Sequence, residues 1–217
     1  HPEGKKIVYG YRVSDNCQSP DQKTTQGIME IDLSTGNSSE VLPPVKANVP
    51  VGMPVLSHNG QWIKYYSYPC FSSGYYTNVI NISTGDNYPL GEGDSDWARN
   101  NTSLLWAEWA FGDMRSELLE FLPESKRIND VFFSPEYAFS NPRWSPNGKF
   151  FSIHLSTKVD DYYFDPLNYP EWEEKLIVLD LDENLLGVIC QGGEIHDCVF
   201  EAWSPDGQML LFTHLID

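Results

Sequence analysis

Asn141-Pro142-Arg143-Trp144-Ser145-Pro146-Asn147-Gly148-Lys149-Phe150-Phe151-Ser152-Ile153 decides the fold, because it recurs along the chain. A second copy is Glu201-Ala202-Trp203-Ser204-Pro205-Asp206-Gly207-Gln208-Met209-Leu210-Leu211-Phe212, and a weaker one runs from Pro54 through Ser57-His58-Asn59-Gly60 to Tyr65. A degenerate copy, Ser95 to Trp106, has Asn101 in place of the glycine, and His1 to Tyr9 reads as the same unit without its first strand. The turn residue falls at positions 4, 60, 101, 148 and 207, at intervals of 56, 41, 47 and 59. Self-similarity at such a period indicates a repeat architecture. Ser-Pro-Asn/Asp-Gly is suited to a tight reversal: proline presets φ, Asn or Asp bonds its own backbone, and glycine accepts positive φ. The unit is therefore a β-hairpin. Its second strand, Phe150 to Ile153 or Met209 to Phe212, is apolar enough to be buried on both faces. A tryptophan precedes the turn in three copies (Trp97, Trp144, Trp203), with Leu56 in the fourth.

A second signature follows the first. Gly27 to Gly36 ends in Ser34-Thr35-Gly36, Asn78 to Gly85 ends in Ser83-Thr84-Gly85, and Leu118 to Ser125 and Leu176 to Asn184 repeat the pattern. Apolar and polar residues alternate before each turn, which predicts a half-buried third strand. Each full repeat then holds four strands, and four-stranded units of this length stacked radially make a β-propeller. The fold class is all-β: three whole antiparallel blades with partial blades at both ends. We read residues 1–217 as one propeller domain with blade segments 1–42, 51–91, 93–133, 139–190 and 199–214. Pooling the first and last segments in one blade leaves a surplus strand. The chain is accordingly read as an incomplete piece of a longer propeller, with a small ring of four or five blades as the alternative.

The Trp-Ser-Pro-Asp/Asn-Gly-x-x-apolar-x-aromatic motif resembles that of the TolB-like propellers, also called WD40-like or PD40 repeats, over nearly the whole chain. That resemblance implies the propeller fold. For function it implies several roles, since these propellers include periplasmic interaction scaffolds, gating domains of prolyl-oligopeptidase and dipeptidyl-peptidase enzymes, and polysaccharide lyases. Two departures stand out: the third copy lacks both Pro and Gly, and the first lacks its inner strand.

Fourteen Lys and Arg against 31 Asp and Glu give a net charge of −17. A nucleic-acid backbone or an anionic membrane would repel such a chain. No apolar run approaches the ~20 residues that span a bilayer, so membrane insertion is not expected. In a four-stranded blade the second-to-third loop and the connection to the next blade open at one end. This places Cys17 and Cys70 in equivalent loops of neighbouring blades, and Cys190 and Cys198 at either side of one connection. Of three possible connectivities we expect Cys17 with Cys70 and Cys190 with Cys198, hence an oxidising compartment. Four free thiols in a cytosolic protein is the alternative. Sequons at Asn37, Asn81, Asn100 and Asn101 would permit glycosylation in a eukaryotic secretory route.

The loops at that end are rich in rings and carboxylates. Asp160, Asp161, Tyr162, Tyr163 and Trp172 lie in one, Ser156 to Glu174, and Tyr75 and Tyr76 in another, Pro69 to Tyr76. Such a mixture suits a protein or glycan partner, since rings supply stacking and cation-π contact while carboxylates orient polar groups. The bland alternative is that these rings pack under their own loops. Catalytic signatures are missing: there is no G-x-S-x-G elbow, no H-E-x-x-H and no phosphate-cradling glycine loop. His154 and His214 follow equivalent buried strands and are read as hydrogen-bonded core histidines. Asp94-Ser95-Asp96 and Asp180 to Glu183 complete no EF-hand and are read as turn residues. The sequence thus predicts a non-catalytic extracellular or periplasmic binding propeller with no metal and no cofactor. The alternatives are the propeller portion of a peptidase whose hydrolase domain lies elsewhere, and a structural subunit that assembles through open blade edges.

Overall fold

The computed structural model describes residues 4–12, 24–47, 51–68, 75–99, 103–109, 116–134, 137–157, 174–180, 184–192 and 198–214. All regular elements among them are β-strands, and every pairing is antiparallel. The chain divides into two compact units, His1–Gly93 and Asp94–Asp217.

The first unit holds β1 (Lys6–Arg12), β2 (Thr24–Asp32) and β3 (Ser38–Ala47), paired in that order. It also holds β4 (Val51–Leu56), β5 (Trp62–Ser67), β6 (Tyr76–Asn81) and the first residues of β7 (Asn87–Trp97), again neighbours in order. These two sheets stack face to face: Ile28 and Leu42 of one pack with Ile63, Tyr65 and Ile80 of the other, and Val8, Val41, Leu56 and Ile82 close the rim. Burying each such aliphatic side chain contributes about 1.5 to 3 kcal/mol.

In the second unit the end of β7 is followed by β8 (Leu104–Trp109), β9 (Ser116–Leu122) and β10 (Arg127–Ser134). Next come β11 (Tyr137–Trp144), β12 (Phe150–Thr157), β13 (Glu174–Asp180) and β14 (Leu185–Gly192), then the hairpin β15 (Cys198–Trp203) with β16 (Leu210–His214). Stacking repeats here. Leu105, Ala107 and Leu118 meet Phe139, Phe151, Ile153, Leu155, Ile177 and Leu179. On the other face Leu176 and Cys190 meet Phe200, Leu210 and Phe212. The all-β class read from the repeat is what forms.

The turns behave as the motif requires. Gly60, Gly148 and Gly207 have φ of 71°, 68° and 70°, and each glycine N–H donates to the carbonyl of Ser57, Ser145 or Ser204 three residues back. Each serine hydroxyl donates to the Asx oxygen two residues on, while accepting the N–H of Trp62, Phe150 or Met209 at 2.9 to 3.0 Å. These bonds are carried by the Ser, Asx and Gly positions, and His58 stands where Pro146 and Pro205 stand. The second signature has its own anchor. Asp32 Oδ1 accepts the N–H groups of Ser34 and Thr35, and Asn81 Oδ1 those of Ser83 and Thr84. The sequon at Asn81 is therefore also the device that builds a turn.

Burial departs from the sequence reading in two places. The third strands differ among themselves: Thr77 to Ile80 of β6 and Leu176 to Leu179 of β13 are buried without interruption, whereas β9 keeps the expected alternation and residues 29–32 of β2 are half-buried. Exposure is shifted to the fourth strands β10 and β14. Conversely, Met209 and Leu211 in the second copy of the motif are 68% and 64% exposed, whereas their counterparts in the first, Phe150 and Ser152, are half-buried and fully buried. Local sequence is nearly the same, and what stacks on the strand decides. Two strands also exceed their expected bounds, β2 starting at Thr24 and β3 running to Ala47 through Pro43 and Pro44.

Candidate binding surface

Of the ring-bearing residues expected to meet a ligand, Tyr75 and Tyr76 lie among the described residues, and strand parity separates them. Tyr76 pairs with Ser67 on β5 and with Glu92 on β7, so Ser67, Tyr76 and Glu92 leave the same face of the sheet in one row. That is the face carrying Ile63, Tyr65 and Ile80 toward β1 to β3. Tyr75, one residue earlier, belongs to the opposite face. It packs edge-on against Tyr66 (centroids 4.9 Å) and also meets Tyr68 (5.8 Å). A Cβ on Gly52 would stand 3.0 Å from the Tyr68 ring, so the small residue makes room for it. Lys64 Nζ lies 5.7 Å from the Tyr66 centroid, a resident cation over that cluster. Tyr75 is thus a packing residue, and Tyr76, 38% exposed, is the ring presented to solvent.

The floor around Tyr76 is fixed. Asn78 Nδ2 donates to Ser67 Oγ at 2.8 Å and to the Tyr76 carbonyl at 2.9 Å. Thr77 Oγ1 donates to the Gly93 carbonyl at 2.6 Å, and Gly93 N–H donates to the Tyr75 carbonyl. Burial holds the Glu92 carboxyl above its ordinary range.

In the second unit, side chains that looked like turn acids tie one sheet to the next. Asp96 Oδ2 accepts the Trp144 N–H at 2.9 Å and Asp94 Oδ2 that of Asn141 at 3.2 Å. These N–H groups sit at a bulge in β11, where the pairing shifts between Ser140 and Arg143 and Asn141 has φ of 49°. Both carboxylates therefore cap backbone rather than await a cation. Three further links hold the last hairpin. Asn147 Nδ2 donates to the carbonyls of Asp206 and Gly207 at 3.0 Å, Trp203 Nε1 to that of Arg143 at 3.3 Å, and Phe200 N–H to His154 Nε2 at 3.4 Å. His154 is a buried, hydrogen-bonded histidine, as expected. Sequence reasoning missed the Asp94 and Asp96 roles and the position of Glu92, since each depends on strand pairing. Glu108 and Glu117 face each other across β8 and β9, and burial, then repulsion from Glu117, holds Glu108 above its ordinary range.

Asp160, Asp161, Tyr162, Tyr163, Trp172, Cys17 and Cys70 lie outside the described residues. Cys190 is buried on β14; Cys198 opens β15, and its side chain is outside the described set. Among the described residues no three His, Cys, Asp or Glu side chains group as a metal site, and no helix is long and apolar enough to cross a membrane.

No protein-family model matches the chain, and a search of curated proteins found none that matches. Solved structures do match in shape. TolB from Acinetobacter baumannii is 15% identical, with a TM-score of 0.55 over 96% of this chain and 46% of that one. The β-propeller domain of the Trilobed protease from Pyrococcus furiosus is 16% identical, with a TM-score of 0.59 over 96% and 60%. Prolyl oligopeptidase B from Galerina marginata is 8% identical, with a TM-score of 0.65 over 98% and 29%. The chain thus spans about half the length of that TolB and under a third of the oligopeptidase. Shape, turn chemistry and stacked four-stranded sheets agree that this chain has the fold of a TolB-like β-propeller.

Proposed function

We propose that this chain is part of a non-catalytic binding propeller, exported to an oxidising compartment, extracellular or periplasmic, which receives a protein or glycan at the end where its long loops open. The observation that carries the reading is the surface beside one of those loops. There an exposed ring, Tyr76, stands in register with a carboxylate, Glu92, on a floor fixed by Asn78. The neighbouring ring, Tyr75, is spent on packing. We place Asp160, Asp161, Tyr162, Tyr163 and Trp172 at the same end as further partner contacts, and Cys17 with Cys70 and Cys190 with Cys198 as bridges that tie the loops. The described cysteine, Cys190, is not a free thiol, which supports the second bridge. We also take residues 1–217 as a portion of a single longer propeller, consistent with the share of each matching structure that the chain spans.

The test is binding of glycan arrays and of purified exported proteins to the chain, repeated after Tyr162, Tyr163 and Trp172 are replaced by alanine. Loss of the bound partner by at least about tenfold supports the reading, since buried aromatic anchors dominate interfaces. Unchanged affinity overturns it. A second reading is favoured by the match to prolyl oligopeptidase B, which the chain covers over 98% of its own length. In that case the propeller belongs to a peptidase, and its native polypeptide carries a G-x-S-x-G sequence outside these residues.

A further inference from the structure

We infer that the Tyr76–Glu92 corner is a subsite for a cationic side chain, guanidinium or ammonium, of a basic protein segment. The inference deepens the binding reading above and rests on it for the identity of the partner as a macromolecule. Three observations carry it. First, Ser67, Tyr76 and Glu92 form one row across β5, β6 and β7, so a hydroxyl, a ring and a carboxylate face the same space. A ring face and a carboxylate act together on a cation, the one by cation-π attraction and the other by a charge-assisted hydrogen bond. Second, Glu92 is partly buried and receives no hydrogen bond and no ion pair among the described residues. A carboxylate in that condition gains most from an incoming positive charge. The one cation on β4 to β7, Lys64, is committed to Tyr66 on the opposite face and cannot serve it. Third, Gly91 and Gly93 flank Glu92, and Asn78 bonds Ser67 Oγ and the Tyr76 carbonyl. The glycines lie at the opposite parity to Glu92, and the asparagine fixes the floor beneath the site.

The whole chain, with a net charge of −17, draws a basic segment toward itself and repels an acidic one. Arginine fits better than lysine, because its planar guanidinium can lie on the Tyr76 ring while its edge meets the carboxylate. An amino sugar offers the same ammonium on a different class of partner, and the test separates the two.

The experiment is a titration of the full chain, labelled with nitrogen-15, by Nα-acetyl-arginine methylamide, its lysine and glutamate counterparts, and glucosamine. The expected result is saturable shifts at the Tyr76, Thr77, Glu92 and Gly93 amides with the arginine derivative, and none with the glutamate derivative. Glu92→Gln should weaken arginine binding about tenfold, Tyr76→Ala severalfold, and Tyr76→Phe hardly at all, because the ring face is what binds. Saturation by glucosamine but not by arginine overturns the proposal in favour of a glycan. No saturable shift, or equal binding by Glu92→Gln whose unfolding midpoint is unchanged, also overturns it. If a macromolecular partner still binds Glu92→Gln with full affinity, the subsite fails and the binding reading stands. If arginine saturates the corner and no macromolecule binds the loop end, the subsite stands and the binding reading fails.

Discussion

Two glycines in the same turn position should respond differently to one added methyl group. Gly148 has φ of 68° and open space where its Cβ would be, so Gly148→Ala costs only the left-handed conformation, about 1 to 2 kcal/mol. Gly207 has φ of 70°, but its Cβ would stand 2.7 Å from Asn147 Cγ. Gly207→Ala must therefore also push the Asn147 amide off two carbonyls, adding roughly 1 to 3 kcal/mol. Urea midpoints of the two variants measure the difference, and equal losses would show that the Asn147 link carries no stability. Asp96 offers a second comparison. Asp96→Ala leaves the Trp144 N–H at the β11 bulge without its acceptor and should cost about 1 to 3 kcal/mol, while Asp96→Asn keeps an oxygen there and should cost less. Thermal melts of the pair decide it. Asp206 is held below the ordinary carboxylate range, first by the Ser204 hydroxyl and then by backbone N–H groups. Its turn is therefore strengthened above the usual carboxylate pKa and loses that contribution as pH falls through the lowered value.

Strands follow what is stacked on them. Ile153→Ala in β12 should cost about 2 to 5 kcal/mol, because sheets cover both faces of that strand. Leu211→Ala in β16 should fall within about 0.5 kcal/mol of the parent, since that side chain is largely exposed. Chemical denaturation of both variants tests the contrast, which the sequence motif alone would have denied. Glu108 opposes Glu117 across β8 and β9, and its folded pKa is raised, so its stabilising protonated form is lost as pH climbs through that raised value. Glu108→Gln should therefore stabilise the protein near pH 7 by a few tenths of a kcal/mol after solvent screening, with the gain vanishing near pH 4. A pH series of melting temperatures reads the sign. The four-stranded repeat and its turns were legible because each is local: Ser, Asx and Gly close their own bonds within six residues. Asp94 was not, because its partner Asn141 lies 47 residues away across a stacked sheet. Tyr75 and Tyr76 look equivalent as neighbours in sequence, and only the start of β6 and its pairing to Glu92 reveal which one faces away from the tyrosine cluster.

For the molecule entire, charge is the property that no single blade expresses. With a net charge of −17, association with a basic partner should slow severalfold between 50 and 500 mM salt, and stopped-flow mixing at the two salt concentrations measures it. Dissociation should change much less. The stacking of repeats also distributes stability, since each repeat draws most of its support from its neighbours. The last hairpin is held to its neighbouring sheet by one imidazole, one carbonyl, one asparagine amide and the Phe200, Leu210 and Phe212 contacts. Together with Arg99 Nη1, which donates to the Pro205 carbonyl at 3.5 Å, these are attachments of an element only two strands wide among the described residues. Its amide protons will then exchange with deuterium through brief detachment of the hairpin, long before those of β12 and β13, which wait for the unit to unfold. The chain carries, at β15 and β16, a segment whose clock runs faster than that of the sheet it leans on.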